Sequence, residues 1–366
     1  MVGRRSVLLG FGLLAVAASV AGAQTATLKD LAGRTVTVPA PAKRILIDDG
    51  RYLVALSLIH PNPPSLLAGW PRDINRVGDR TYAAFVKKFP DLDRVPQVAS
   101  SASTFSLEKA LAVKPDVAVF TLGLGPTPEQ VKQLESAGVP VLFIDFFSQP
   151  FENLEPSLRI LGQLTGASPK AEAFIEFRRA HMNPIAAALK KNAGLKRPKV
   201  FLEAHATTSG DCCNSPGKGN VGDYIEFVGG HNIGADVLPG TFGRLNLEYV
   251  VSQDPAVYVA SGGPHLEKSA GMVLGQGYTA ERAKAALASV TARPGIGSLS
   301  AVRNGQAHGL SHQLLNSPLD ILAVESLAKW IHPALFNSID PAKTLAEINA
   351  RFLAVPLEGT YWVDLR

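Results

Sequence analysis

The chain has 366 residues, 46% of them hydrophobic and 18% charged, with a formal charge of +5. That composition excludes a disordered chain. The charge falls far short of a nucleic-acid footprint, so no nucleic-acid partner is expected.

The chain opens VGRRSVLLGFGLLAVAASVAGAQ. Two arginines, a short apolar run and the small residues Ala21-Gly22-Ala23 predict a signal peptide over 1–23, cleaved before Gln24. The run is short for a membrane span, and Arg4-Arg5-Ser6-Val7-Leu8 also fits a twin-arginine signal for folded export. No cysteine lies near the cleavage point, which argues against a lipid anchor. A periplasmic location follows. Loss of Arg4 and Arg5 takes the charge from +5 to +3, which tolerates an anionic ligand without demanding one. About 340 residues remain, enough for two lobes with a core each.

Along the chain, β-branched runs at 44–47, 117–120 and 139–143 alternate with helical patterns at 52–59 and 128–137. Later runs at 199–204 and 257–260 alternate with helical patterns at 221–228, 280–290 and 318–331. Such alternation predicts parallel sheets with helices on both faces. Between the halves, Ser168-Pro169 opens a helix with an apolar stripe of Phe174, Ile175, Met182, Ile185 and Leu189. Pro184 lies inside it and predicts a kink or break near Asn183.

The halves echo one another. SLEKALAVKPDVAVF (106–120) aligns without gaps with NLEYVVSQDPAVYVA (246–260), and each then reaches a glycine, Gly123 or Gly263. Ser106 or Asn246 caps a helix, a glutamate sits in its first turn, proline stops it, and a buried strand follows. The fold class is therefore α/β: two Rossmann-like lobes joined by one long backbone helix. The expected divisions are 24–160, a helical connection 161–195, and 196–366.

Ligands of parallel sheets gather at the loops after the strands. In the first half, those loops and their neighbours offer Arg51, Tyr52, Trp70, Arg72 and Phe147; in the second, His205, Lys218, Arg244, His265 and His312. Arginine pairs with anionic groups through planar paired hydrogen bonds, and the aromatics offer area for rings. The three histidines suit a bare divalent ion or a haem iron. No H-x-x-H, HExxH or C-x-x-C spacing joins them, so no metal site is assigned. An arginine at such a position is commonly a solvated surface group, and a tryptophan commonly core.

Gly217-Lys-Gly-Asn-Val-Gly222 matches G-x-G-x-x-G and raises an exported nicotinamide oxidoreductase as a rival. A dinucleotide fingerprint follows a strand directly and leads to an acid about 20 residues on. Here Gly217 lies eleven positions after Ala206, and 237–243 hold no acid. The glycines can instead open a helix whose N-terminus meets an anionic group beside Lys218. No G-x-S-x-G elbow supports a hydrolase. A scaffold protein with an empty cleft would need none of the cationic and aromatic loop residues.

The only cysteines, Cys212 and Cys213, are adjacent within GDCCNSPGKGN. An exported chain favours a disulfide, yet across a trans peptide the Cα atoms lie about 3.8 Å apart, below the usual disulfide range. Free thiols and metal ligation stay open beside a vicinal disulfide, which would stiffen a cleft-lining turn.

The ordered set RTVTVPAPAKRILI (34–47), SLEKALAVKPDVAVF, SAGVPVLFID (136–145), LGQLTGASPKAEAFI (161–175), GGHNIGAD (229–236), LNLEYVVSQDPAVYV (245–259) and NSPLDILAVESLAKWIHPALF (316–336) resembles the periplasmic substrate-binding proteins of ABC importers for ferric siderophores, haem and cobalamin. The resemblance covers nearly all of the chain after residue 23. It implies a monomer without cofactor or catalysis, holding an iron chelate between its lobes. Haem and cobalamin are the substitute ligands. It also implies that Glu108 and Glu248 dock into arginine pockets of an inner-membrane ABC permease. The plainer reading is that both acids only favour their helix dipoles.

Overall fold

The computed structural model describes residues 24–99, 104–209 and 212–366, so the expected signal segment 1–23 lies outside it. Each half is built on a sheet whose inner strands are buried, Ile45–Ile47 and Val117–Thr121 in the first and Val257–Gly262 and Ala307–Ser311 in the second, as continuous apolar runs require. The first sheet has the order Leu67–Gly69, Ile45–Ile47, Val117–Thr121, Val141–Ile144, all parallel. The second runs Trp362–Asp364, Ala307–Ser311, Val257–Gly262, Lys199–Glu203, His231–Asn232, parallel except for its antiparallel C-terminal edge.

The echoed units fold as expected. Ser106 Oγ accepts from the Lys109 amide at the head of helix Leu107–Ala112. Asn246 Oδ1 accepts from the Glu248 amide at the head of Leu247–Gln253. The strand after each lies inside its sheet, with one unit in each lobe.

Helix Pro150–Thr165 runs past the boundary expected at 160, and the linker helix Ser168–Lys191 follows after two residues. Pro184 does not break it. A proline removes one hydrogen bond, but Met182 and Ile185, buried on either side, keep the helix in register. Phe174, Ile175 and Ile185 belong to one apolar cluster that includes first-lobe Leu53 and Leu56 and second-lobe Leu322 and Leu327. The linker is thus part of a shared core.

Charge fixes its position. Arg178 donates to both oxygens of Asp320, at 2.8 and 2.7 Å, with both residues buried. The Tyr224 hydroxyl adds a third donor at 3.3 Å. Further along, His181 Nδ1 lies 2.7 Å from Glu325. Removing one member of a buried pair strands the other charge in the interior and costs about 3–5 kcal/mol. Arg178→Met is therefore expected to lower unfolding free energy by that order in urea titration. Arg178→Met with Asp320→Leu should lower it much less. A single variant as stable as the native chain would refute this role.

Candidate functional site

The lobes meet along a cleft bounded by loops at the carboxyl ends of their strands. Gln313 donates to the carbonyls of Arg76 (3.0 Å) and Val77 (2.6 Å) across it. At another point Asn220 donates from its amide to the Ser148 carbonyl at 3.2 Å and from its side chain to that of Phe147.

The first-lobe wall begins where strand Ile45–Ile47 ends, at Asp48-Asp49-Gly50-Arg51. Asp49 is buried, and its carboxylate binds Arg51 Nη2 at 2.6 Å and Arg76 Nη1 at 2.6 Å. Burial pushes the Asp49 carboxyl up, but the guanidiniums of Arg51 and Arg76 outweigh it and hold it down at about 2. Gly50 donates to Asp73 Oδ1 at 2.9 Å. A Cβ at Gly50 would sit 2.1 Å from that oxygen, so only glycine permits the approach. Asp48 accepts from the Thr121 amide and hydroxyl. Burial first, then the neighbouring Asp49 charge, pushes Asp48 and Asp73 up to about 7. Below that pH two guanidiniums face one carboxylate, and the wall carries net positive charge. Phe147, half-buried, has the Arg51 guanidinium 5.8 Å from its ring centroid. Asp145 fixes this loop by accepting from the Phe147 and Ser148 amides, both at 2.8 Å.

The second-lobe wall is imidazole. His205, His265 and His312 follow strands Lys199–Glu203, Val257–Gly262 and Ala307–Ser311. Because these strands are adjacent and parallel, their carboxyl ends bring the rings together. His205 Nδ1 lies 2.8 Å from His265 Nε2, and the His205 and His312 ring centroids are 4.2 Å apart. Ser261 Oγ lies 3.2 Å from His312 Nδ1. His205 has φ +54°, the left-handed region, which sets the direction of its side chain. Burial depresses all three histidines. His265 falls to about 4 with help from His205, and His312 falls well below its ordinary value with help from His205, His265 and Arg51. The rings are therefore neutral near pH 7, and the Arg51 charge reaches His312 across the cleft. Among the described residues, no group of three or more His, Cys, Asp or Glu is arranged to hold a metal ion.

Cys212 and Cys213 are disulfide-bonded across a cis peptide, with Cα atoms 3.2 Å apart. Cys213 is buried, and its carbonyl accepts from the Leu245 amide at 3.0 Å. The Cys212 carbonyl accepts from Arg244 Nε at 2.8 Å, so this arginine braces the disulfide turn. Next to it, strand Asn214–Pro216 pairs, among the described residues, only with Phe242–Arg244, in a two-stranded antiparallel ribbon. Gly217–Gly222 therefore does not leave a parallel sheet as a dinucleotide fingerprint must, and the Gly219 amide is taken by Asp223.

Other expected residues lie elsewhere. Tyr52 is buried, its hydroxyl 2.6 Å from Thr121 Oγ1. Trp70 is fully buried and stacks on Tyr82 at 5.9 Å. Neither exposes a face to the cleft. Arg72 turns to the Asp93 carbonyl at 2.6 Å. Lys218 is exposed in a separate groove with Arg197, His231 and Asp236. Glu108 and Glu248 are both exposed in the first turns of their helices. Sequence reasoning passed over Asp73, Arg76 and Gln313. Asp73 and Gln313 each adjoin a quoted residue, Arg72 and His312; Arg76 carried no such signal.

Two lobes packed on a shared linker helix, with a polar cleft between them, fit a solute-binding protein. The chain belongs to the periplasmic binding protein family, whose model matches residues 59–313. It is 22% identical to an uncharacterized ABC transporter substrate-binding lipoprotein, YvrC, of Bacillus subtilis, over 71% of this chain and 74% of that one. A cobalamin-binding protein of Halobacterium salinarum is 28% identical over 54% of this chain, a match spanning about half of that relative (52%). The solved TroA-like periplasmic binding protein FepB of Veillonella parvula superposes with a TM-score of 0.83 at 24% identity, covering 93% of this chain and 99% of that one. The protein is accordingly a substrate-binding component of an ABC importer and not an enzyme. Among the described residues, no helix is long and apolar enough to cross a membrane.

A carboxyl held up in the folded state gives its proton away on unfolding, so it costs stability once pH exceeds its unfolded value. For Asp73 that cost grows from about pH 4 to about pH 7 and then levels. The thermal midpoint gain of Asp73→Asn over the native chain should follow that curve. A gain that does not change with pH would show that Asp73 is already ionised in the fold.

Proposed function

We propose that the chain captures an iron chelate, a ferric siderophore, in the interlobe cleft and delivers it to an inner-membrane ABC permease. The observation that carries this reading is the opposition of Arg51 on one wall to three neutral imidazoles on the other. Below about pH 7 a bare cation would meet the positive wall unfavourably, and a purely organic anion would leave the imidazoles without a partner. A chelate satisfies both, with anionic donors toward the guanidinium and a metal toward the nitrogens. Phe147 adds an apolar face for a chelator ring. Cobalamin is less well served, because Tyr52 and Trp70 are enclosed in the core and offer it no area.

Tryptophan fluorescence titration against ferric siderophores, haemin, cobalamin and bare divalent ions tests the reading. Ferric chelates should quench with the lowest Kd, and Arg51→Ala should weaken them by about tenfold or more. Binding of a bare ion with none of the chelates would refute the reading.

Docking is proposed through Glu108 and Glu248, exposed at equivalent places in the two lobes. Each can enter an arginine pocket with paired, charge-assisted hydrogen bonds. Glu108→Ala with Glu248→Ala should leave chelate Kd unchanged and cut uptake in cells. Unaltered uptake would remove both from the permease interface.

A further inference from the structure

Two bridges cross the cleft, and the order of the first sheet places them at opposite edges. Phe147 and Ser148 follow the edge strand Val141–Ile144, whereas Arg76 and Val77 follow the other edge strand, Leu67–Gly69. The Phe147 edge is backed by rings. Phe151 stacks on Phe227 at 4.6 Å and meets Tyr224 edge-on at 5.2 Å, joining helix Pro150–Thr165 to helix Val221–Phe227. The Arg76 edge is a polar seam. Behind Gln313 lies a cavity of about 30 Å³, lined by Val77, Thr81, Leu314, Leu357 and Tyr361. Side chains along a void lack contacts on one side, so this edge is held less tightly.

The seam continues to Arg80. Gly78, with φ +92°, lies so close to the second lobe that a Cβ would stand 3.0 Å from Pro264 Cγ and 3.2 Å from Gln313 Nε2. Two residues on, Arg80 Nη1 donates to the Gly277 carbonyl. The Arg80 guanidinium carbon is 4.0 Å from the Tyr278 ring centroid, and Nη2 is 3.7 Å from Glu267 Oε1. The Tyr278 hydroxyl steadies that carboxylate by donating to Oε2 at 2.8 Å. The second lobe thus offers a carbonyl, a ring face and a carboxylate to one first-lobe cation. The Arg80 and Glu267 side chains are 45% and 47% exposed, so water can replace the ion pair as the seam parts.

We propose that Arg80 is the latch of the cleft: the lobes rock apart at its edge, about the ring-packed edge, and its contacts set how fast cargo enters and leaves. This rests on the cargo lying between the lobes, as above, and adds where the cleft opens. The latch contacts form only while the cleft is shut. They hold the empty and the loaded cleft shut alike, so they slow entry and exit by the same factor. An interaction common to both states does not change their difference, and Kd is untouched.

The test on the full chain has two arms. In the first, nitroxides are attached at Lys87→Cys and Lys284→Cys, exposed on the helices Asp79–Lys88 and Ala280–Thr291 of the two lobes. Cys212 and Cys213 are disulfide-bonded and stay unlabelled. Pulsed electron spin resonance should give one narrow distance with Arg80 present and a second, longer one in Arg80→Ala. In the second arm, stopped-flow tryptophan quenching follows a ferric tris-catecholamide complex. Arg80→Ala should raise its entry and exit rates about tenfold each, with Kd and thermal midpoint unchanged. Arg80→Lys keeps the charge without the planar fork and should raise them less. Identical distance distributions with and without Arg80 would overturn the latch. So would unchanged rates, or a Kd that weakens as much as exit accelerates, which would make Arg80 an ordinary cargo contact. If the complex does not bind at all, the chelate reading falls and the spin-label arm alone decides the latch.

Discussion

The buried pairing of Arg178 with Asp320 is the constraint on which the cleft depends. It joins the linker helix to the helix Asp320–Ile331 of the second lobe, with each carboxylate oxygen receiving its own N–H. Desolvating two charges is costly, and only this matched, fork-like geometry offsets the cost. Because Phe174 and Ile175 of the same helix lie in a core shared with Leu53 and Leu56, fixing the linker on one lobe also fixes the other. A stiff, doubly anchored linker permits rocking of the lobes and resists wide opening. The spacing between the guanidinium wall and the imidazole wall is inherited from that anchoring.

The two walls solve the problem of polar groups in a cleft differently. The first gathers opposite charges, Arg51 and Arg76 around Asp49, and leaves Asp48 and Asp73 protonated into the neutral range. The second keeps its imidazoles uncharged, chiefly through burial, with the Arg51 charge opposite adding to the effect at His312. Each arrangement also sustains the other. Neutral imidazoles do not repel Arg51, and Arg51 disfavours protonation of His312.

Much of the scaffold was legible in the sequence because it rests on local rules. The capped helix, proline stop and buried strand of 106–120 and 246–260 recur as written, and adjacent parallel strands brought three strand-end histidines into contact. Their mutual orientation was not legible, since it depends on sheet register and on the left-handed backbone at His205. The aromatic expectations failed for a related reason. Tyr52 and Trp70 stand beside strand-end loops in sequence, but Thr121 and Tyr82, remote in the chain, enclose them. Arg72 is likewise taken up by a carbonyl 21 residues on. Pro184 reads as a helix breaker, whereas tertiary packing on both sides carries the helix through. Cys212 and Cys213 pointed to a turn, and the turn exists, braced by Arg244 from the neighbouring ribbon.

The end of the chain returns to its beginning. The Ala354 amide donates to the Ser57 carbonyl at 2.8 Å, and its carbonyl accepts from Lys88, 266 residues earlier. Leu353, Val355 and Leu357 enter the same apolar cluster as the first-lobe helix Tyr52–Ile59. The first lobe therefore takes part of its apolar wall from residues 353–357, far along the chain from its own helices. The second-lobe sheet in turn takes its edge strand from Trp362–Asp364, so both lobes are closed by one short stretch of chain and neither is complete without it.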